Sequence, residues 1–161
     1  MKDEILIRDF NEEDLDHIVI RHGDIYAREH DFDESFKDYV RNPLNEFYEK
    51  FDKNSQNIWI AEEKGKTVGF IALVKVDDDT AQLRWFLLEK EMRGKGIGNM
   101  LMKTLIDFAK EKNYKNIYLW TVDFLDAARH LYEKYGFELQ DRKTSIVWGK
   151  ELIEEKWSLK L

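Results

Sequence analysis

The chain contains no cysteine. That excludes a disulfide framework, a cysteine zinc site and a thiolate nucleophile, and it suits a reducing compartment, so cytoplasmic residence is expected. Proline occurs once, as Pro43 after Asn42; an N-cap residue followed by proline at N1 marks a helix break or restart there. No apolar run approaches the roughly 18 to 20 residues that a membrane span needs, and MKDEILIRDF has neither the basic start nor the cleavage site of a secretory signal, so no membrane partner is expected. The four histidines, His17, His22, His30 and His130, lack ligand spacing with partners, so no metal is expected either. Positive charge is in deficit: 26 Lys and Arg against 33 Asp and Glu leave a net charge of -7. That field discourages nucleic acid as a partner and mildly favours cationic ones.

Core material is plentiful. Hydrophobic residues make up 43% and aromatic residues 14% of 161 residues, enough for one domain over 1–161 and too little chain for two. ILIRDF reads as a strand. In NEEDLDHIVI, Asn11 caps a helix with Asp14 in its first turn, and the stripe Leu15, Ile18, Val19 and His22 stops at Gly23, where an interruption is expected. Phe36, Val40, Leu44, Phe47 and Phe51 make the next segment helical, with the break at Pro43.

From Asn57 the period becomes two. NIWIAEE and TVGFIALVKV form a hairpin across EKGK, and TAQLRWFLL adds a third antiparallel strand with Ala81, Leu83, Trp85 and Leu87 on one face. Ile97, Leu101, Leu105, Phe108 and Ala109 mark a long helix, and KNIYLWTV a strand. Asp123 caps the helix FLDAARHLYEKY, whose apolar face is Phe124, Ala128, Leu131 and Tyr135 and whose left-handed C′ residue is Gly136. FELQDRKTSIVW and LIEEKWSLKL close the chain as two strands. The expected order is β-α-α-β-β-β-α-β-α-β-β, an α/β (α+β) fold.

Three of the eight glycines, Gly94, Gly96 and Gly98, crowd into MRGKGIGNMLM, where a strand gives way to a helix. Glycine costs backbone entropy to order, so such a cluster needs a reason. The first turn of a helix leaves several N–H donors unpaired at the positive end of the macrodipole, and glycines let an anion reach them. Arg93 and Lys95 add charge. The Walker pattern is absent, and G-x-G-x-x-G fails by one position at Asn99. R-x-x-G-x-G is satisfied by Arg93, Gly96 and Gly98. A turn serving only tight strand-to-helix packing is the competing explanation.

TAQLRWFLLEKEMRGKGIGNMLM, followed by a strand and then AARHLYEKYGFE, resembles the GNAT superfamily of N-acetyltransferases, with its R/Q-x-x-G-x-G/A acetyl-CoA loop and its A-x-x-LY-x-x-x-GF segment. The likeness runs from about Trp59 to Phe137. RHGDIYAREHDFDESF and the tail EEKWSLKL further resemble the GNAT domain found fused to MarR-type DNA-binding domains. The resemblance implies a mixed, mostly antiparallel central sheet of six to seven strands flanked by about four helices. It implies acetyl-CoA as cosubstrate, with Arg93, Gly94, Lys95, Gly96, Ile97, Gly98 and Asn99 around the pyrophosphate. The main chain of Phe86, Leu87 and Leu88 would bond the pantetheine arm. Many family members carry asparagine seven residues before the tyrosine of the LY pair; this chain has Leu125, so the coenzyme contact there is backbone or absent.

Acetyl transfer to an amine needs a neutral amine, a polarised carbonyl and a proton for the departing thiolate. A lysine-like ammonium of pKa about 10.4 costs roughly 4 kcal/mol to deprotonate near pH 7.4, so a base is useful. Tyr132 matches the family tyrosine beside the CoA sulfur and is the expected acid, its ring partly buried and its hydroxyl free toward a cleft. Glu29, within the cluster Glu29, His30 and Asp31, is the expected base. Tyr26, Glu29, Asp31, Arg84 and Asp123 are expected around the acceptor, a small-molecule or peptide amine. The rival reading is a non-catalytic module that senses acyl-CoA. Homodimerisation is left open.

Overall fold

A computed structural model describes residues 4–161. The elements run β1 (Ile5–Asp9), α1 (Glu12–His30), α2 (Ser35–Glu49), β2 (Asn57–Glu63), β3 (Lys66–Lys75), β4 (Thr80–Leu88), α3 (Ile97–Glu111), β5 (Asn116–Val122), α4 (Asp126–Lys134), β6 (Glu138–Val147) and β7 (Lys150–Lys160). This is the order that the periodicities imply. The seven strands form one sheet in the order β1-β2-β3-β4-β5-β7-β6, and every pairing is antiparallel except β4 with β5.

Each face of the sheet carries its own core. Leu83, Ile97, Leu101, Leu105 and Ile117 pack on the face covered by α3, while Ile18, Val19, Phe36, Leu44 and Phe70 pack under α1 and α2. The start of α1 is tied to the sheet by Asp14. Its carboxylate accepts from the Asn11 N–H at 2.8 Å and from both Arg8 amino groups at 2.8 and 2.9 Å.

Local signals and structure part company at three places. The first helix does not stop at Gly23; a Cβ there would collide with the Lys37 side chain of α2, so the glycine serves a close approach of two helices. Nor does α2 break at Pro43: the buried stripe Phe36, Val40, Leu44 and Phe47 continues on both sides of the proline and holds one helix to the sheet. The third is Asp123, which does not cap α4. The helix begins three residues later, and the Asp123 N–H instead donates to the Ile153 carbonyl on β7 at 3.1 Å.

The single apolar alternation expected along β4 is also interrupted. Phe70 of β3 pairs with Leu87 and Ala72 with Arg84, so β4 carries an extra residue there, and Trp85 sits at φ 47, in the left-handed region. Ala81 and Leu83 therefore face the α3 core, whereas Trp85 and Leu87 face α1 and α2.

One buried carboxylate secures α4. Glu155 on β7 is fully buried and accepts from Arg129 of α4 at 2.8 and 3.2 Å, from Arg142 of β6 at 3.2 Å and from the Trp157 indole at 3.2 Å. A charge this deep is tolerated only when paired and hydrogen-bonded. The Trp157 ring it holds lies 6.4 Å from that of Tyr132.

His22 on α1 is buried among Tyr26, Phe36 and Phe70, its Nδ1 3.0 Å from the Ile18 carbonyl. Burial pushes its pKa down to about 4. The unfolded chain therefore binds a proton near pH 6.5 that the folded chain refuses until about pH 4. The contribution is fully present above pH 6.5 and fades as pH falls, by on the order of 3 kcal/mol at pH 4. Urea unfolding of wild type and His22→Phe at pH 7 and pH 4.5 should show the variant losing less stability between the two; equal losses contradict a neutral buried imidazole.

Candidate active site

A parallel pair that opens partway makes the cleft. β4 and β5 are in register only from Thr80 to Gln82 against Asn116 to Tyr118; beyond Gln82 they separate. The β5-facing edge of β4 from Leu83 to Leu88 consequently has no strand partner, and its main-chain groups border a cavity of about 520 Å³. The cavity is walled by Arg84 to Leu88 of β4, Trp120 to Val122 of β5, the α4 residues Leu131 and Tyr132, and α1 with Tyr26, Glu29 and His30.

At one end of the cleft lies the glycine-rich loop. Gly94 at φ 79 and Gly96 at φ 84 adopt left-handed conformations that other residues reach with strain. Gly96 is the N-cap of α3, and its carbonyl accepts from the Met100 N–H at 3.1 Å. The N–H groups of Ile97, Gly98 and Asn99 thus have no acceptor within the helix. A Cβ on Gly94 or Gly96 would meet nothing within 4 Å, so these two glycines are not there for packing. Gly98 differs: a Cβ there would touch Leu131, Leu88 and Phe86 at 3.4 to 3.5 Å. Contacts at that distance are ordinary, so packing requires none of the three glycines, and left-handed backbone at an open, donor-rich helix start accounts for Gly94 and Gly96.

Two residues anticipated in separate roles meet in one ion pair. Arg93 of the loop binds Glu29 at the end of α1 through both amino groups, at 2.8 and 3.1 Å, and its Nε lies 3.4 Å from the Leu88 carbonyl. The Arg93 guanidinium holds the Glu29 carboxyl below the usual carboxylate range. Next along the helix, His30 lines the cleft, its ring 5.4 Å from Tyr26 and 4.7 Å from Phe124, and burial lowers its pKa from the ordinary histidine value. It is neutral at pH 7.

Tyr132 is the buried residue of α4, 5% exposed, with its ring 6.5 Å from Phe86. It is more deeply set than expected, and its hydroxyl makes no hydrogen bond to a described residue while lining the cleft. Burial raises its pKa above the phenol range, with Tyr26 adding to the effect, and burial pushes Tyr26 itself up to about 12. Both phenols stay protonated. Leu125, Gly98 and Asn99 line the same cavity; Asp31, Asp123, Lys95, Gly96 and Ile97 do not. Asp31 is the exposed left-handed cap of α1 at φ 57.

Sequence reasoning passed over the aromatic half of the cleft. Phe32, Phe36, Tyr39, Trp120, Phe124 and Trp148 line it, with Glu154. In the sequence, Phe36 belongs to a helix stripe and Trp120 to the strand KNIYLWTV, and neither pattern signals a cleft. Trp148 sits half-buried at φ 53 in the β6–β7 turn, where a tryptophan beside Gly149 was the available signal. Among the described residues no cluster of three or more His, Asp or Glu is arranged to hold a metal ion, and no helix is long and apolar enough to cross a membrane.

Comparison with known proteins bears on this geometry. Residues 23–137 match the model of the acetyltransferase (GNAT) family. The chain is 32% identical over 97 residues to human N-acetyltransferase 8B, covering 57% of this chain and 43% of that protein. It is 39% identical over 80 residues to the N-acetylaspartate synthetase of Danio rerio, covering 49% and 28%. With YjgM of Escherichia coli, an uncharacterized N-acetyltransferase, it shares 32% identity over 98 residues and 59% of each chain. The matches thus cover between 28% and 59% of the length of these curated relatives. Among solved structures, a GNAT-family acetyltransferase of Staphylococcus aureus Mu50 superposes with a TM-score of 0.79 at 22% identity, covering 98% of this chain and 99% of that one. The yncA acetyltransferase of Salmonella typhimurium, solved with acetyl-CoA, gives 0.79 at 17% identity, covering 98% and 94%. With the family's model matched over most of its length and a seven-stranded sheet that opens beside a glycine-capped helix, the chain belongs to the GNAT acetyltransferase family.

Proposed function

We propose that the protein moves an acetyl group from acetyl-CoA to a primary amine by direct attack within a ternary complex. One observation carries the reading: the unpaired edge of β4 and the open N-terminus of α3 border one cleft, so a diphosphate held by the loop directs its thioester arm along the strand. The helix dipole and the free N–H groups of Ile97, Gly98 and Asn99 suit an anion, and Lys95 adds exposed charge. Arg93 acts partly through Glu29: their ion pair fastens the loop to α1 and so fixes one wall.

The residues then divide the proton work. Glu29, with both oxygens engaged by Arg93, serves in this reading as the group that positions the loop. His30, facing the cleft with a lowered pKa, takes one proton from the acceptor ammonium, directly or through a water, and leaves the neutral amine that attacks. The amine nitrogen bonds to the acetyl carbon, the carbon–sulfur bond breaks, the sulfur leaves with the bonding pair as thiolate, and the second nitrogen proton passes to that thiolate. N–H groups between Phe86 and Leu88 that point away from β3 polarise the carbonyl as charge develops there. A phenol raised above its ordinary pKa is a poor proton source for a thiolate of about 8.5, so Tyr132 acts as a hydrogen-bond donor to the departing sulfur. Cytoplasmic residence and kinship with the MarR-fused GNAT domains belong to the same proposal, supported by the absence of cysteine and by RHGDIYAREHDFDESF.

Three outcomes are expected. In Gly96→Val, Cβ finds open space but the residue is forced to φ 84 and a branched side chain shields the helix start; calorimetry should show acetyl-CoA affinity falling at least about tenfold by loss of the anion site, and unchanged affinity contradicts the loop assignment. Tyr132→Phe should lower kcat by about 10²-fold with little change in KM for acetyl-CoA; an unchanged kcat removes the donor role. His30→Gln should lower kcat about 10²-fold and abolish the acidic limb of its pH profile, which in the wild type lies below the ordinary histidine pKa. A limb that survives the substitution assigns the base elsewhere. An acyl-CoA sensor would bind the coenzyme and release no thiol with any amine.

A further inference from the structure

We propose that the acceptor carries a carboxylate as well as its amine, that its class is free α-amino acids with apolar or aromatic side chains, and that Arg84 is the residue that selects it. This rests on the acetyl-transfer reading above and deepens it.

The chain has eight arginines. Seven of them donate to an oxygen: Arg8 to Asp14, Arg21 to Glu89, Arg41 to Asp16, Arg93 to Glu29, Arg129 and Arg142 to Glu155, and Arg28 to the Asp24 carbonyl. Arg84 alone meets no oxygen among the described residues. Its guanidinium carbon lies 5.1 Å from the Trp85 ring and 5.9 Å from the Tyr39 ring, and nothing else engages it. In a chain of net charge -7, a guanidinium that meets no oxygen of any described residue is conspicuous. Aromatic faces hold such a group in place and leave its planar fork of N–H donors free, the geometry that receives a carboxylate bidentately.

The position is equally specific. Arg84 immediately precedes the left-handed residue Trp85, lies on the stretch of β4 that has lost its β5 partner, and lines the cleft two residues before the thioester-binding segment. The bulge keeps Arg84 and Trp85 toward α1 and α2, on the acceptor side, rather than toward α3.

The remaining charges of the cleft leave the same vacancy. Two of its three acidic residues are engaged, Glu29 by Arg93 and Glu154 by Ser145 at 2.6 Å and Lys143 at 3.7 Å, and the third, Asp126, is largely exposed with Arg129 at 3.8 Å. The engaged carboxylates weaken the preference for cationic acceptors suggested by net charge alone. Beside Arg84 the wall is aromatic: Tyr39 and Trp148 lie 4.8 Å apart, Tyr26 and Phe36 4.8 Å, and Phe32 and Trp148 5.1 Å. An unpaired cation next to a ring-lined pocket matches a molecule with one carboxylate and an apolar body.

The test compares phenylalanine, phenylalaninamide, phenethylamine and spermidine as acceptors, by thiol release from acetyl-CoA, in wild type, Arg84→Gln and Arg84→Lys. Binding of phenylalanine is followed separately by calorimetry with and without CoA. In wild type, kcat/KM for phenylalanine should exceed that for phenethylamine or phenylalaninamide by about 100-fold. In Arg84→Gln that ratio should collapse through KM for the amine, with Arg84→Lys recovering a small part, since lysine keeps the charge without the fork. Equal rates with and without the carboxylate, or spermidine as the best acceptor, overturn the anchor while leaving acetyl transfer standing. Arg84-dependent binding of phenylalanine without thiol release from any amine keeps the anchor and overturns the transfer reading. Neither binding nor release overturns both.

Discussion

The separation of β4 from β5 is the constraint on which the rest of the molecule depends. Parallel neighbours in a sheet normally satisfy each other's main chains along their full length. Here they do so for three residues and then part, because β4 holds an extra residue opposite β3 and passes through a left-handed conformation at Trp85. The bulge has two effects. It exposes unpaired backbone on the β5-facing edge of β4, and it exchanges which face of the sheet β4 serves, so that Leu83 packs against α3 while Trp85 and Leu87 pack against α1 and α2. A defect in pairing becomes a cavity with its own supply of hydrogen-bond donors.

Other features hold that opening in shape. Glu155 ties α4 to β6 and β7 through two arginines and keeps Trp157 beside Tyr132. Arg93 and Glu29 bridge the glycine-rich loop to the end of α1 across the mouth, and Arg21 and Glu89 add a second bridge at 2.6 and 2.7 Å between the same helix and the end of β4. Each joins segments far apart in the chain. Together they frame a cleft with backbone N–H groups of the α3 start at one end and rings with Arg84 at the other, the ends that the proposed function gives to acetyl donor and acceptor.

Much of the architecture was legible in the sequence because its signals are local. Hairpin periodicity, the helix stripes and the glycine cluster at a strand-to-helix junction each occupy a short window, and the succession of elements along the chain followed from them; the placing of β7 between β5 and β6 did not. The misreadings share a cause. Gly23, Pro43 and Asp123 carry strong local signals for ending or capping a helix, and each is overridden by packing against a distant partner: Lys37 for Gly23, the α2 stripe for Pro43, and β7 for Asp123. The bulge at Trp85 was invisible for a similar reason, since an apolar residue fits either face. In the site, motif and spacing singled out Tyr132 and the loop, and both border the cleft. The Arg93–Glu29 pair spans 64 residues and was not legible, nor was the packing of Phe36 and Trp148 around Tyr39, the ring that faces Arg84.

Hydrogen exchange with and without acetyl-CoA addresses the central claim most directly. If the unpaired edge of β4 and the start of α3 grip the coenzyme through their main chain, the amides of Phe86 to Leu88 and of Gly94 to Asn99 gain protection together on binding. Binding that leaves both segments exchanging as before, with protection appearing elsewhere, contradicts the account.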